Sequence, residues 1–174
     1  MASAPTEEIT GSFVDPVLMN AIESAVHGSL AMADISVRCV GVSAIAARDQ
    51  GSITGMIGVH GDVTGFVTVN VSQTTAMDVV SALLMEDCET LDHQVIDGVG
   101  ELTNMITGGI KKGLTGTPWA FGNVTVPSII VGNSYDIAYA QGFKYLSVTF
   151  EHVNCRSIMV HDRLIRVATS FIRL

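Results

Sequence analysis

Residues 92–114 read DHQVIDGVGELTNMITGGIKKGL, and their periodicity decides the fold. Val95, Val99, Leu102, Ile106 and Ile110 recur at spacings of 4, 3, 4 and 4. At about 100° per residue these positions form one apolar stripe, so a long helix from Asp92 to Leu114 is predicted, laid against a core. On the opposite side Asp97, Glu101, Asn104 and Gly108 cluster within about 60° of one another. A carboxylate and an amide then stand side by side, three residues apart, on an exposed face. The ordinary meaning of such a pair is a solvated helix face, but the glycines argue for more. Gly98, Gly100, Gly108 and Gly109 each cost roughly 1 kcal/mol against alanine in a helix interior. Gly98 and Gly109 flank the apolar stripe, where a missing side chain admits a close neighbour. Gly108 lies on the Glu-Asn face, where it lets a partner approach.

Upstream, Ser72 reads as an N-cap for a shorter helix from Gln73 to Met85, with Met77, Val80 and Leu84 on one face. Between Ile35 and Val71 β-branched residues and glycines predict strands. Val63, Val67, Val69 and Val71 share one side of a strand whose other side carries Thr68 and Asn70, and His60-Gly61-Asp62 suits a hairpin turn. Gly58, Gly61 and Gly65 resemble a phosphate loop only loosely: no Lys-Ser/Thr follows and no helix opens there, so they read as structural. Asp15 before Pro16 predicts a further N-cap and a helix from Pro16 to Met32, with Leu18, Ile22, Ala25 and Val26 inward. Residues 1–12 are small, polar or acidic and read as a loose tail before a single domain over residues 13–174.

Downstream, Pro118, Trp119 and Phe121 follow the long helix. They suggest either a contact surface or ordinary packing into the domain. Strands are predicted at Asn123 to Pro127, Ser128 to Gly132, Tyr145 to His152, Ser157 to His161 and Leu164 to Leu174. In the third, Tyr145, Ser147, Thr149 and Glu151 alternate with Leu146, Val148, Phe150 and His152, as in a half-buried strand. The order helix, strands, helix, helix, strands implies an α+β fold, with a mainly antiparallel sheet and long helices on one face. Two similar halves, each opening with a long helix, are suggested without a residue-level repeat.

Composition excludes several function classes. With 48% hydrophobic and 15% charged residues in a chain of 174, the sequence is too apolar to be disordered. No apolar stretch approaches the roughly 18–20 residues of a membrane span. Residues 1–12 lack a basic segment followed by an apolar run, which argues against a secretory signal and for a cytoplasmic protein. The net charge of −8 opposes nucleic-acid binding, and the only basic pair is Lys111-Lys112. Cys39, Cys88 and Cys155 fit neither a disulfide framework nor a zinc knuckle and read as packing residues. His27, His60, His93, His152 and His161 show no metal-ligand spacing, so no metal or cofactor of the chain's own is expected.

The run from Asp97 through Glu101 and Asn104, followed by Pro127 in Val-Pro-Ser-Ile-Ile-Val-Gly, resembles the CheC/CheX/FliY family of chemotaxis phosphatases. The family signature is Asp or Ser, three residues, Glu, two residues, Asn, twenty-two residues, Pro; Asp97, Glu101, Asn104 and Pro127 meet every spacing. At about 5% per residue type, chance agreement of all four is on the order of one in a thousand. The specific part is residues 97–132. Residues 133–143 and 154–163 have no counterpart in the resemblance. Two-site members carry a second Glu-x-x-Asn on the first long helix, where this chain has the reverse, Asn20-x-x-Glu23. The resemblance therefore implies one site per chain, as in CheX rather than CheC. It further implies a two-layer CheC-like domain with pseudo-twofold halves and a homodimer joined through its sheet.

The resemblance also implies an activity: hydrolysis of the phospho-aspartate of a CheY-like response regulator, in chemotaxis or another two-component circuit. Asn104 would orient the attacking water, and Glu101 would pair with the regulator's lysine. Asp97, Gly108 and Pro127 would support or meet the partner, and the divalent metal, Mg, would sit on the partner. The alternative from a different class is a dimeric signalling adaptor that binds a receiver domain without hydrolysis.

Overall fold

The computed structural model describes residues 14–46, 52–132, 135, 137–139 and 141–174. The expected tail over residues 1–12 lies outside them. The chain order is α1 (Pro16–Ala31), β1 (Val37–Ser43), β2 (Ile53–His60), β3 (Val63–Val71), α2 (Gln73–Leu84) and α3 (His93–Gly113). Then come β4 (Asn123–Val124), β5 (Ser128–Val131), β6 (Lys144–His152), a 3-10 turn (Val160–Arg163) and β7 (Leu164–Arg173).

Each helix starts at a capping side chain, two of them, Asp15 and Ser72, read as caps in the sequence and the third, Asp92, predicted there only as the start of the helix. Asp15 Oδ1 accepts from the N–H groups of Val17 and Leu18, Ser72 Oγ from Thr75, and Asp92 Oδ1 from Val95. Each satisfies helix donors that have no intrahelical partner. The Gly61-Asp62 turn joins β2 to β3, with Gly61 at φ +150°, a conformation open to glycine and strained for other residues.

The seven strands among the described residues form one antiparallel sheet in the order β1-β6-β7-β3-β2-β4, with β5 also on β2. Exchanging β1 with the β4–β5 pair, β6 with β2 and β7 with β3 maps this order onto itself. The pseudo-twofold axis therefore passes between β3 and β7, near the Val67–Thr169 pair. One half is α1-β1-β2-β3 and the other α3-β4-β5-β6-β7, each giving its first strand to the outer edge of the other's hairpin. Both outer strands carry a register irregularity. Val40 is the extra residue between Cys39 and Gly41, and one extra residue lies between Val124 and Ser128, since three steps along β2 face four along the edge.

One face of the sheet builds the core with the helices. Leu18, Ile22, Val26 and Leu30 of α1 and the predicted stripe of α3 pack on Val67, Val69, Leu146, Val148, Phe150, Val167 and Phe171. The stripe lies at 0–1% exposure, so α3 is the helix on which the core is assembled. Glycines set its distances to neighbours. A Cβ at Gly98 would stand 2.6 Å from both methyls of Val80, one at Gly109 2.7 Å from Ala25 Cβ, and one at Gly113 3.2 Å from Ala21 Cβ. Successive contacts of Gly109 with Ala25 and Gly113 with Ala21 show α1 and α3 running antiparallel. At Gly55 of β2 a Cβ would collide with the Thr103 hydroxyl, so the sheet also meets α3 through a glycine.

Three expectations need correction. Strand β6 is not half-buried: Tyr145 and Ser147, on the face away from the helices, are also buried. Tyr139 stacks on Tyr145 at 5.2 Å between centroids, and Tyr135 hydrogen-bonds Thr54. These two tyrosines, from the stretch without a counterpart in the resemblance, thus lie over the second face. Ser157 to His161 is not a strand. Ser157 Oγ donates to Asp162 Oδ2 and accepts from Met159 N–H, while Arg163 Nε donates to Ser157 O; these local bonds give the backbone an alternative to a ladder. Finally, Cys155 is buried and Cys88 packs against the core, but Cys39 is exposed on β1 and is no packing residue. No helix among the described residues is long and apolar enough to cross a membrane.

Candidate functional site

The outward face of α3 is a ridge between two unlike flanks. Asp97, Glu101 and Gly108 are exposed and Asn104 is half-buried. Glu101 and Asn104, three apart on a regular helix, have Cβ atoms about 5–6 Å apart. The first half of the ridge is bordered by α2, which approaches at Gly98, and the second half by α1, which approaches at Gly109. The other flank is the sheet edge. Pro127 Cγ and Ile129 Cδ1 lie 3.6 and 3.8 Å from where a Gly100 Cβ would stand. Asn104 is one turn beyond Gly100 on that same side, so the amide leans toward Pro127 and the carboxylate toward α2.

Between α2 and α3 lies a groove of about 580 Å³, whose wall includes Val80, Leu84, Asp97, Glu101 and Met105. A second, of about 640 Å³, runs between α1 and α3 past Gly28, Met105, Gly109 and Lys112. Met105 lines both, so the polar ridge is edged by two largely apolar grooves that meet at this side chain. Gly108 has nothing within 4 Å of its Cβ position, which leaves the backbone there open to an approaching surface.

Each residue singled out in the sequence thus has a defined place. Asp97, Glu101, Asn104 and Gly108 share the ridge, and Pro127 stands beside it in the β4–β5 bulge. Having no N–H, Pro127 leaves no donor unpaired where the ladder is broken. Thr125 closes the bulge: its N–H donates to Gly58 O, and its Oγ1 accepts from Gly58 N–H. Asn20 is exposed and Glu23 half-buried on α1, in the reversed order already noted.

Trp119 and Phe121 are not a contact surface. They are 7% and 6% exposed and pack on Phe171, and Trp119 Nε1 donates to Asp15 Oδ2 at 2.8 Å. The groove residues on α2, Val80 and Leu84, were read only as one face of that helix. Their role depends on how α2 docks against Gly98, a tertiary fact with no local signal.

A sequence model described as the chemotaxis phosphatase CheX matches residues 53–151, more than half of the chain. The chain belongs to the CheX chemotaxis phosphatase family. Solved structures share the fold. A CheC-like superfamily protein from Shewanella sp. PV-4 is 24% identical, with TM-score 0.74 over 91% of this chain and 99% of that one. CheX from Vibrio vulnificus is 23% identical, with TM-score 0.73 over 88% and 98%. A CheX chain solved in a CheX–CheY–BeF3–Mg complex from Borrelia burgdorferi is 21% identical, with TM-score 0.69 over 90% and 96%. No curated protein matches the chain. The CheX match spans β2 to β6 and so includes the whole α3 ridge and Pro127.

Proposed function

We propose that this CheX-family chain dephosphorylates the phospho-aspartate of a CheY-like response regulator, using the α3 ridge as its active surface. The observation that carries the reading is the pairing of Glu101 with Asn104 one turn apart on an exposed ridge, beside the bare Gly108. An acyl phosphate needs little covalent help; a water held in line and a neutralised charge suffice. Asn104 would hold that water, because an amide donates and accepts at once and keeps its protonation state. Glu101 would make a charge-assisted bond to the regulator's active-site lysine, setting the ridge across the phosphorylation pocket. Asp97 and Pro127 support the two flanks, and the partner supplies the divalent metal, Mg. The CheX–CheY complex among the structural relatives supports a receiver domain as partner.

We further propose a cytoplasmic homodimer joined through the sheet. The outer side of β1 bonds to no other strand among the described residues, and Val40 and Val42 are exposed there. Light scattering on the eluting protein gives the mass directly.

The deciding experiment follows phosphate release from a CheY-like receiver charged with acetyl phosphate. The parent should accelerate decay, and Asn104→Ala should lose on the order of 100-fold in rate while still docking. Glu101→Ala should chiefly raise KM, by roughly 10- to 100-fold, from loss of a charged hydrogen bond. Unchanged decay with retained docking across several receivers would make the chain a signalling adaptor instead.

A further inference from the structure

Behind α2, away from the ridge, three side chains from separate parts of the chain converge. Asp78 of α2, His152 at the end of β6 and Cys155 in the following loop each place a potential ligand atom within 4.8 Å of the others. His152 is 6% and Cys155 8% exposed. His152 Nδ1 is buried with no hydrogen-bond partner, an uncompensated loss of hydration that asks for a partner of another kind. Burial holds the His152 imidazole below its ordinary pKa, which favours the neutral ring that ligates metals. Burial pushes the Cys155 thiol up, so it is poorly suited to act as a free nucleophile.

We propose that Asp78, His152 and Cys155 form a zinc site that clamps α2 to the β6–β7 connection. One sulfur, one nitrogen and one oxygen donor suit zinc, with a water as fourth ligand. Thiolate and carboxylate together balance the charge of a divalent ion, and the Cys155 proton leaves to solvent on binding. Bond lengths of about 2.0–2.3 Å require the donors to draw in from their present spacing. Asp78 is now held by Arg156, whose N–H donates at 3.2 Å and whose Nε lies at 3.4 Å. The Arg156 side chain is 73% exposed and already reaches Asp87 at 3.7 Å, so it can yield Asp78 Oδ1 to the metal while the Arg156 backbone N–H keeps Oδ2. Two residues beyond Asp78, Val80 packs against Gly98, so the clamp would steady the groove wall beside Glu101. The site stands independently of the phosphatase reading.

The sequence gives no hint of this site, because the ligands come from a helix, a strand and a loop. The test uses the full chain carrying Cys39→Ser and Cys88→Ser, which leaves Cys155 as its one thiol. After removal of metal with a chelator, cobalt(II) is titrated and the thiolate-to-cobalt charge-transfer band recorded. A band saturating at one cobalt per chain and displaced by zinc is expected. Cys155→Ser should abolish it, and His152→Gln should weaken binding by about 10-fold or more. No band on a chain folded by circular dichroism overturns the site. So does a band that survives Cys155→Ser or is unmoved by a folded His152→Gln. Should Cys155→Ser not fold, the band on the single-thiol chain decides alone.

Discussion

Asp15 holds two elements at once: Oδ1 caps α1 through Val17 and Leu18, while Oδ2 accepts from Trp119 Nε1 at 2.8 Å. The loop leaving α3 is thereby tied to the start of α1, and the Arg173 guanidinium lies over the indole ring at 4.6 Å. Asp15→Ala removes a cap worth about 0.5–2 kcal/mol and strands the indole donor, at about 1–3 kcal/mol. A loss of about 2–4 kcal/mol is expected in urea unfolding followed by fluorescence of Trp119, the chain's single tryptophan. A loss below about 1 kcal/mol would mean that water replaces both bonds.

The glycines of α3 should separate by position. Gly98→Ala and Gly109→Ala press a methyl into Val80 and Ala25 at 2.6 and 2.7 Å, and overpacking of this kind costs about 1–3 kcal/mol. Gly108→Ala meets open space and gains up to about 1 kcal/mol of helix propensity. Denaturation midpoints should therefore fall for the first two and rise for the third. If the ridge is the docking surface, the more stable Gly108→Ala should also turn over its partner more slowly. A rise in midpoint with unaltered turnover would move the partner's footprint off Gly108.

Across the β1–β6 ladder Arg38 faces Glu151 directly, and its Nε donates to Glu151 Oε2 at 2.8 Å. That bond holds the Glu151 carboxyl below its usual pKa of 4.5, against the opposing effect of desolvation, with the Arg38 and Arg163 charges adding to it. A depressed folded pKa stabilises the protein above the unfolded value and ceases to do so as pH falls through the folded one. The stability difference between the parent and Glu151→Gln should thus be present at pH 7 and shrink below about pH 4.5. A difference constant from pH 7 to pH 3 would show that the pair contributes through packing alone.

Helices were legible because their signals are local. Asp15, Ser72 and Asp92 each stand one residue before a helix begins and a few before its apolar period, and the structure uses all three as caps. The α3 stripe was legible for the same reason, and with it the outward placing of Asp97, Glu101 and Asn104. What could not be read was decided across the chain. The apolar residues Ile158, Met159 and Val160 look like a strand, yet Ser157, Asp162 and Arg163 close them into an exposed turn. Polar Thr54, Thr68 and Asn70 look solvent-facing, yet they are buried, with Tyr135 bonded to Thr54 and Asn70. The α2 wall of the groove depends on a Gly98–Val80 contact between two helices whose separate patterns do not reveal it.

Pro127 gives the sharpest distinction between support and chemistry. Its ring rests against the Gly100 turn, one turn before Asn104, and it sits in the bulge where the edge strand slips by one residue against β2. Pro127→Ala leaves both polar groups of the ridge in place. It frees the unfolded chain, at about 0.4–1 kcal/mol of stability, and removes the contact that backs the amide's side of α3. If Pro127 only steadies that flank, turnover should fall a few-fold with KM little changed, well short of the loss in Asn104→Ala. Combining the two substitutions should then cost no more than Asn104→Ala alone, because a support has nothing left to position once the amide is gone. A loss in Pro127→Ala as large as that in Asn104→Ala, at unchanged stability, would instead place the proline ring against the reacting phosphoryl group.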